Sequence, residues 1–257
     1  MKPMNVFWAF VKVILVVVLL SPLVLVVLFA FSDRAISNFP ITGFSLRWWR
    51  DMFEFSSFWG AFKNSMIVGA WVGVLTAVIG TLASLGLLML PQRRANLLLL
   101  ALALPLMLPP LFLGIMLLVW YLFLGLQLGL MTVVFSHLLI ALPFFIIVVY
   151  ARLQSFDLIA VDAARDLGAS PLRAFMTVTL PIIQPVIVGA ALMAVALSLD
   201  DFILASFTIG GGNTLPIMVM STLRTSVTPM TNAVGTLLIA LSISFMLVAL
   251  RLTRYRG

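Results

Sequence analysis

Two adjacent carboxylates, Asp200 and Asp201, lie within the apolar stretch LSLDDFILASF. Ionisable residues inside a membrane-spanning segment are costly, so they usually face the protein interior or a water-filled path. A carboxylate on such a path favours a cationic solute and repels an anion. Neighbouring positions on a helix diverge by about 100°, so we expect one carboxylate to face the path and the other to pair with a neighbouring helix or cap a break. Alternatively, both lie at the outer water interface or cap the helix end.

The other reactive residue types form no catalytic or metal-binding set. The chain has one histidine, His137, and no cysteine, which excludes disulfides, thiolate metal sites and cysteine nucleophiles. Adjacent carboxylates on one helix point apart, whereas an aspartyl dyad needs two that converge on one proton. No HExxH or GxxxxGK[ST] motif is present. We therefore predict that the chain is not an enzyme and holds no metal or cofactor, and that His137 is a hydrogen-bonded packing residue.

The elements that carry these residues are apolar. Hydrophobic residues make up 63% of the 257 residues and charged residues 9%, and the mean hydropathy of +1.25 is typical of a membrane protein. A helix that crosses the hydrocarbon core needs about 20 apolar residues. The runs of this length predict an all-α polytopic membrane protein: a single transmembrane domain over residues 1–257, with six spans near 11–32, 63–90, 96–123, 130–150, 183–206 and 230–250.

The middle of the chain has to reverse direction. Residues 95–151 contain no Asp, Glu, Lys or Arg, and a single helix of that length would be roughly 85 Å long. We place the reversal at residues 125–129. Pro105, Pro109 and Pro110 are expected to kink or break the third span, which frees backbone carbonyls that persist only against protein or a water-filled path.

The basic residues predict the orientation. With the N-terminus inside, ten of the 15 Lys and Arg residues fall on the cytoplasmic side and five outside, which favours two cytoplasmic termini. We attribute the net charge of +7 to cytoplasmic loops rather than to nucleic-acid binding. The first run exceeds the usual length of a signal-peptide h-region, so we expect it to remain as a span. The external segment 33–63, with Trp48, Trp49 and Trp59, either lies at the lipid headgroups or packs on the rim of the protein.

A polar segment, residues 152–181, then lies on the cytoplasmic side between the fourth and fifth spans. Ser155 or Asp157 can cap a first helix that runs through Leu167, and Gly168 can adopt the left-handed conformation that ends it. Ser170 is a good N-cap and Pro171 suits the first helical position. Leu180-Pro181 is expected to stop the second helix. The segment is thus predicted to be a helix–turn–helix hairpin that protrudes from the membrane.

The spacing within this hairpin resembles a known motif. Asp162-Ala163-Ala164, three residues, Gly168, nine residues, Val178, one residue and Leu180-Pro181 are similar to the coupling loop of bacterial ABC importer permeases, with Asp in place of Glu and Val in place of Ile. The resemblance implies a type I importer permease fold, in which the hairpin docks on a separate cytoplasmic ATP-binding subunit that binds ATP and Mg²⁺. Alternatively, residues 152–181 are an ordinary surface loop with capped helix ends.

A wider resemblance concerns the solute. The stretches LSLDDFILASF and FSHLLIALPFFIIVVYARLQSFD are similar to the second permease subunit of spermidine and putrescine importers. This implies a bacterial inner-membrane protein that works with a homologous permease and an external solute-binding protein. Permeases of this kind carry acids where this chain has Pro110 and Met230, so another amine-containing solute or ferric iron stays open. An ATP-independent secondary transporter that uses Asp200 and Asp201 is the other alternative.

Overall fold

The computed structural model describes residues 3–36, 38–155, 159–225 and 228–254. Within these ranges the chain forms thirteen α-helices and no β-strand. The helices are α1 (Pro3–Phe29), α2 (Arg47–Glu54), α3 (Phe58–Leu75), α4 (Thr81–Leu88), α5 (Gln92–Met107), α6 (Pro110–Phe123), α7 (Leu130–Gln154), α8 (Ile159–Asp166), α9 (Pro171–Ala174), α10 (Leu180–Asp200), α11 (Ile203–Thr208), α12 (Leu215–Thr225) and α13 (Pro229–Arg254). Two π-helical turns, Thr76–Gly80 and Phe175–Thr179, join α3 to α4 and α9 to α10.

Five continuous helical segments in the described residues are long and apolar enough to cross a membrane. They are Trp8–Phe29, Phe58–Leu88, Leu130–Gln154, Pro171–Asp200 and Pro229–Arg251. A sixth crossing exists if α5 and α6, which meet at 98°, count as one broken span. The all-α membrane fold expected from the sequence is therefore confirmed.

The third predicted span, residues 96–123, is two helices rather than one. α5 ends at Met107, Leu108 is extended with ψ of 139°, and Pro110 occupies the first position of α6. Pro109 and Pro110 lack an N–H, and a proline disfavours helical geometry in the residue before it, so the helix cannot continue through them. The break expected from the prolines is thus confirmed, although Pro105 lies inside α5 without ending it.

The reversal expected at 125–129 is also present. α6 ends at Phe123, and Gly125 adopts a φ of +67° that ordinary side chains avoid. The amide of Leu126 donates to the carbonyl of Tyr121 at 3.0 Å, which closes the C-terminus of α6. α7 then starts at Leu130, so the charge-free run folds back within six residues, 124–129.

The chain divides into two compact units, of which residues 60–217 and 241–257 form the larger. Its core is organised around α7, which packs against α4, α5, α10 and α11. Val133, Val134 and Leu138 of α7 lie in one cluster with Val68 and Val72 of α3. A second cluster joins α7 to α10 and a third joins it to α4 and α5. α7 is therefore the central helix of this unit.

A glycine in the first π turn lets α7 approach closely. A Cβ at Gly80 would collide with the ring of Phe145, which is fully buried in α7. Gly73, seven residues earlier, similarly faces Val195 of α10, whose Cγ2 would lie 2.6 Å from an added Cβ. Small residues at helix crossings allow this approach in membrane proteins, where packing rather than hydrophobicity drives association.

The smaller unit comprises residues 1–59 and 218–240. The apolar side chains of α1 are exposed over most of its length, as expected of a helix that faces lipid. Trp48 of α2 is buried and its indole N–H donates to the carbonyl of Ser32 at 2.7 Å. Trp59 is 56% exposed and stacks on Phe53. The segment was expected either to lie at the lipid headgroups or to pack on the rim of the protein. Trp48 agrees with packing on the protein, whereas the Trp59 ring is exposed.

Candidate functional site: the hairpin and the carboxylates

The first helix of the predicted hairpin is α8, and Gly168 ends it. The Gly168 N–H donates to the Arg165 carbonyl at 2.9 Å, and the Ala169 N–H donates to the Ala164 carbonyl at 3.1 Å. Gly168 has a φ of +86°. This pair of bonds around a left-handed glycine is the Schellman arrangement, which satisfies the last carbonyls of a helix. The conformation expected for Gly168 is therefore present.

Ser155 lies between the two helices, at the C-terminus of α7. Its hydroxyl donates to the carbonyl of Arg152 at 2.8 Å. The N–H groups that Ser155 would cap belong to residues 156–158, outside the described residues, so its role as a cap stays a prediction. Asp157, the other candidate, lies outside the described residues.

The second helix begins as the sequence indicates. Ser170 has extended geometry and its Oγ accepts a hydrogen bond from the Arg173 N–H at 3.3 Å. Pro171 follows at the first helical position, where a missing N–H costs nothing. The turn between α8 and α9 is thus only a few residues long and is fixed at both ends.

The predicted stop at Leu180-Pro181 is wrong. α9, the second π turn and α10 form one apolar segment from Pro171 to Asp200, which passes through Pro181. The Leu180 N–H donates to the Phe175 carbonyl, one residue beyond α-helical spacing. In a regular helix a proline ring would clash with the carbonyl four residues earlier, and the π turn directly before Leu180-Pro181 departs from that regular geometry. The hairpin is therefore continuous with a membrane-spanning helix.

The hairpin exposes large apolar side chains. Leu167 in the turn is 91% exposed, Leu172 in α9 73% and Ile159 at the start of α8 72%. An open cleft of about 420 Å³ in the same hairpin is lined by Asp162, Arg165, Asp166, Ala169 and Pro171. Asp162 and Ala163 are exposed as well. Exposed leucines in the same hairpin as a charged cleft form a surface suited to another protein.

The two carboxylates occupy different environments at a helix break. α10 ends at Asp200, and Asp201 is extended with ψ of 107°. The Asp201 Oδ1 accepts the Leu204 N–H at 2.8 Å, which caps the start of α11. Asp200 is exposed, whereas Asp201 is half-buried. The expectation that one carboxylate caps a break is consistent with Asp201, whereas Asp200 is exposed on the last turn of α10.

His137 lies behind this break. It is 4% exposed in α7, and its Nδ1 lies 2.8 Å from the Oγ of Ser198 in α10. This agrees with the interpretation of His137 as a hydrogen-bonded packing residue. Ser198 was not among the residues picked from the sequence, because a serine on an apolar helix carries no signal of its partner 61 positions away.

α6 and the start of α7 hold α11 in place. A Cβ at Gly114 of α6 would lie 2.7 Å from the Phe207 ring, so this ring of α11 packs directly on the α6 backbone. The Thr132 hydroxyl of α7 donates to the Thr208 carbonyl at 2.6 Å. The broken third span and the segment after Asp201 therefore pack on one another. Neither Gly114 nor Thr132 was a sequence candidate.

The family follows from comparison with known proteins. Residues 69–256 match the family model described as binding-protein-dependent transport system inner membrane component. This chain belongs to that family. It is accordingly a multi-pass inner-membrane transport subunit of an ABC importer.

Two relatives that are similar over most of the chain are permeases of polyamine transport systems. The putrescine transport system permease protein PotI of Escherichia coli (strain K12) is 31% identical over 229 residues, which cover 86% of this chain and 81% of the relative. The spermidine/putrescine transport system permease protein PotC of the same strain is 29% identical over 236 residues, which cover 91% and 88%.

Solved structures agree on the fold. A chain of a bacterial alginate ABC transporter, in complex with alginate pentasaccharide-bound periplasmic protein, superposes with a TM-score of 0.74 at 14% identity and covers 99% of this chain and 95% of its own length. A chain of the MetNI methionine ABC transporter in an inward-facing conformation gives 0.55 at 19% identity, and covers 77% and 94%. The permease fold expected from the hairpin motif is thus confirmed, and the resemblance to polyamine permeases is confirmed at the level of sequence.

Proposed function

We propose that this chain is one of two permease subunits in an ATP-driven importer of polyamines, with putrescine and spermidine as the solutes. The observation that carries the proposal is the similarity to PotI and PotC over 86% and 91% of the chain. The carboxylate pair supports it, because a polyamine carries ammonium groups that an acid on the path attracts. Asp200 is the residue that we assign to solute contact, since it is exposed at the end of a membrane-spanning helix.

Two residues limit how many acids the solute can meet. Pro110 starts α6 and Met230 lies in the first turn of α13. At these two positions the resembling permeases carry acids, whereas this chain carries no charge. With those two acids replaced, Asp200 and Asp201 carry the proposed attraction within this chain. Competition of labelled putrescine uptake by unlabelled spermidine, a monoamine and ferric ion tests the solute class. Competition by ferric ion alone would move the proposal to iron.

The hairpin is proposed to couple the path to a partner ATPase. Asp162, Ala163, Ala164, Gly168, Ser170, Pro171, Leu180 and Pro181 are the residues assigned to this role. The exposed leucines support docking, because their burial against a partner is worth about 1.5–3 kcal/mol each when complete. α9 continues through the second π turn into α10. We therefore expect a displacement of the hairpin to move the helix that ends at Asp200. ATP and Mg²⁺ are expected on the ATPase.

The absence of cysteine from the chain gives a clean test of this docking. Leu167→Cys places a single thiol at the hairpin tip, where the side chain is 91% exposed. With a reagent that carries a thiol-reactive maleimide and an amine-reactive ester, we expect this thiol to be joined to a lysine amine of the ATP-binding subunit in membranes. Leu126→Cys, in the exposed turn between α6 and α7, is the matched control and should give none. Equal cross-linking from both positions would remove the hairpin from the coupling role.

Orientation and the remaining partners complete the proposal. The excess of basic residues on one side supports cytoplasmic N- and C-termini and a cytoplasmic hairpin. The family description supports an external solute-binding protein. A homologous permease chain is expected to supply the other half of the path, and lipid surrounds the exposed faces of α1 and α6. The whole chain is proposed to act as one permease domain.

A further inference from the structure

His137 has one nitrogen engaged and one buried without a protein partner. The Nδ1 atom is 2.8 Å from the Ser198 hydroxyl. The Nε2 atom is fully buried and has no hydrogen-bond partner among the described residues. A neutral imidazole presents one donor and one acceptor, and leaving a buried donor unmade is costly. The packing role accounts for Nδ1 and leaves Nε2 unexplained.

A small cavity adjoins this histidine. It is lined by His137, Ile140 and Ala141 of α7, by Leu197 and Ser198 of α10, and by Asp201 at the helix break. Its free volume of about 10 Å³ is at the lower limit of the space that one water molecule needs. Three of its lining residues, His137, Ser198 and Asp201, are polar, and an ordered water needs two to four polar partners. The space and the polar groups therefore suit one bridging water.

The Asp201 carboxylate has capacity for such a water. Its Oδ1 accepts the Leu204 N–H at 2.8 Å. The carboxylate also interacts with the N–H groups of Ile203 and Ala205. An ionised carboxylate offers about four acceptor positions, so these three backbone groups leave about one for a water. If Ser198 donates to Nδ1, the imidazole proton sits on Nε2, and this N–H donates a hydrogen bond to the water, which in turn donates one to Asp201. Each donor in this chain thus meets an acceptor, from the Ser198 hydroxyl through His137 and the water to the Asp201 carboxylate.

We propose that His137 is a positioning residue that orients Asp201 through a single ordered water in this cavity. The arrangement ties α7, the central helix of the larger unit, to the break between α10 and α11. Asp201 then holds the cap of α11, and Asp200 projects from the last turn of α10 in a fixed direction. The proposal rests on the proposed function, because the orientation matters where Asp200 meets a cationic solute.

Nitrogen NMR tests the bridge independently of any solute. The whole complex is prepared with ¹⁵N-labelled histidine in lipid, and the resonances lost in His137→Gln are those of the only histidine in this chain. We expect a protonated Nε2 and an unprotonated Nδ1. Asp201→Asn keeps the size of the side chain and should shift the Nε2 resonance. Asp200→Asn removes the same charge from the exposed neighbour and should leave it in place.

Two outcomes of this spectrum would overturn the bridge. One is an Nε2 resonance that is unmoved by Asp201→Asn. The other is a resonance that moves equally in Asp200→Asn and Asp201→Asn, since that response would report loss of charge rather than a hydrogen bond. Ser198→Ala should move Nδ1, which confirms the assignment of the two nitrogens.

Transport kinetics test the positioning role. His137→Asn keeps an amide near Nδ1 and loses the group that reaches the cavity, whereas His137→Gln keeps an amide near Nε2. We expect His137→Asn to raise the KM for uptake roughly tenfold, the scale of one lost hydrogen bond to a charged group, with the maximal rate unchanged. His137→Gln should retain most of the affinity. Ser136→Ala is the control. It removes a buried hydrogen bond between Ser136, which neighbours His137 in α7, and Tyr121 of α6, and it should leave KM unchanged.

The failures of the two proposals are distinguishable. If the wild-type complex does not import polyamines, the proposed solute is wrong, and the NMR result still decides the bridge. The kinetic comparison is then run with the solute that the complex imports. If uptake occurs but His137→Asn and His137→Gln are equally impaired, or the thermal stability of the complex falls in step with KM, the histidine is structural and the positioning role is refuted.

Discussion

Replacing Gly168 by alanine tests the link between hairpin conformation and coupling. Gly168 has a φ of +86°, and a Cβ added there meets no atom within 4 Å. The substitution therefore carries no steric clash, and its cost is the backbone strain of an L-residue in the left-handed region, about 1–2 kcal/mol. That strain opposes the two bonds from Gly168 and Ala169 that close α8. A cost of this size lowers the population of the native turn by about 5–30-fold.

The assay is binding of the purified ATP-binding subunit to permease complexes in lipid, together with ATP hydrolysis stimulated by the loaded solute-binding protein. We expect Gly168→Ala to weaken ATPase binding by about 5–30-fold and to lower stimulated hydrolysis in parallel. Gly125→Ala introduces the same kind of strain at a φ of +67°, also with no atom within 4 Å, but in the turn after α6. Gly86→Ala makes the same chemical change inside α4.

The controls decide the interpretation. If the turn couples the subunits, Gly125→Ala and Gly86→Ala leave ATPase binding unchanged. Wild-type binding and hydrolysis in Gly168→Ala, with the variant present in the membrane at normal amount, would refute the reasoning. So would an equal loss in Gly125→Ala, because strain anywhere in the permease would then have the same effect.

Three further outcomes follow from the carboxylates and the core. Asp200→Asn should raise the KM for polyamine uptake while the thermal stability of the complex is unchanged, since the side chain is exposed; an unchanged KM would remove Asp200 from the path. Asp201→Ala should cost about 1 kcal/mol of stability through loss of the α11 cap, whereas Asp201→Asn, which can still cap, should not; thermal unfolding of the two variants checks this, and equal stabilities would contradict it. Gly80→Ala should lower the unfolding temperature because its Cβ collides with Phe145, and Phe145→Leu should restore part of the loss; no change in Gly80→Ala would refute that packing.

Local features of the site could be predicted from the sequence. The turn at Gly168 and the caps at Ser170 and Pro171 depend on a few neighbouring residues, because each satisfies backbone groups within one helical turn. The break before Pro110 is local for the same reason. These elements need no knowledge of what packs against them.

The features that depend on tertiary packing were missed. A π turn that carries a helix through Pro181 reverses the usual meaning of proline, and no local pattern announces it. The break at Asp201 has no glycine or proline, and it exists where α11 packs on α6 and α7. His137 and Ser198 are 61 positions apart and lie on different helices, so a single sequence does not reveal that they pair.

Uptake of labelled putrescine and spermidine by proteoliposomes tests the central claim most directly. The vesicles contain the complete complex of this chain, its homologous permease and the ATP-binding subunit, and the solute-binding protein is added outside. We predict accumulation that requires ATP, is abolished without the ATP-binding subunit and is unaffected by dissipation of ion gradients. Accumulation of neither polyamine by an assembled complex that hydrolyses ATP, or uptake that follows an ion gradient without ATP, would contradict the account.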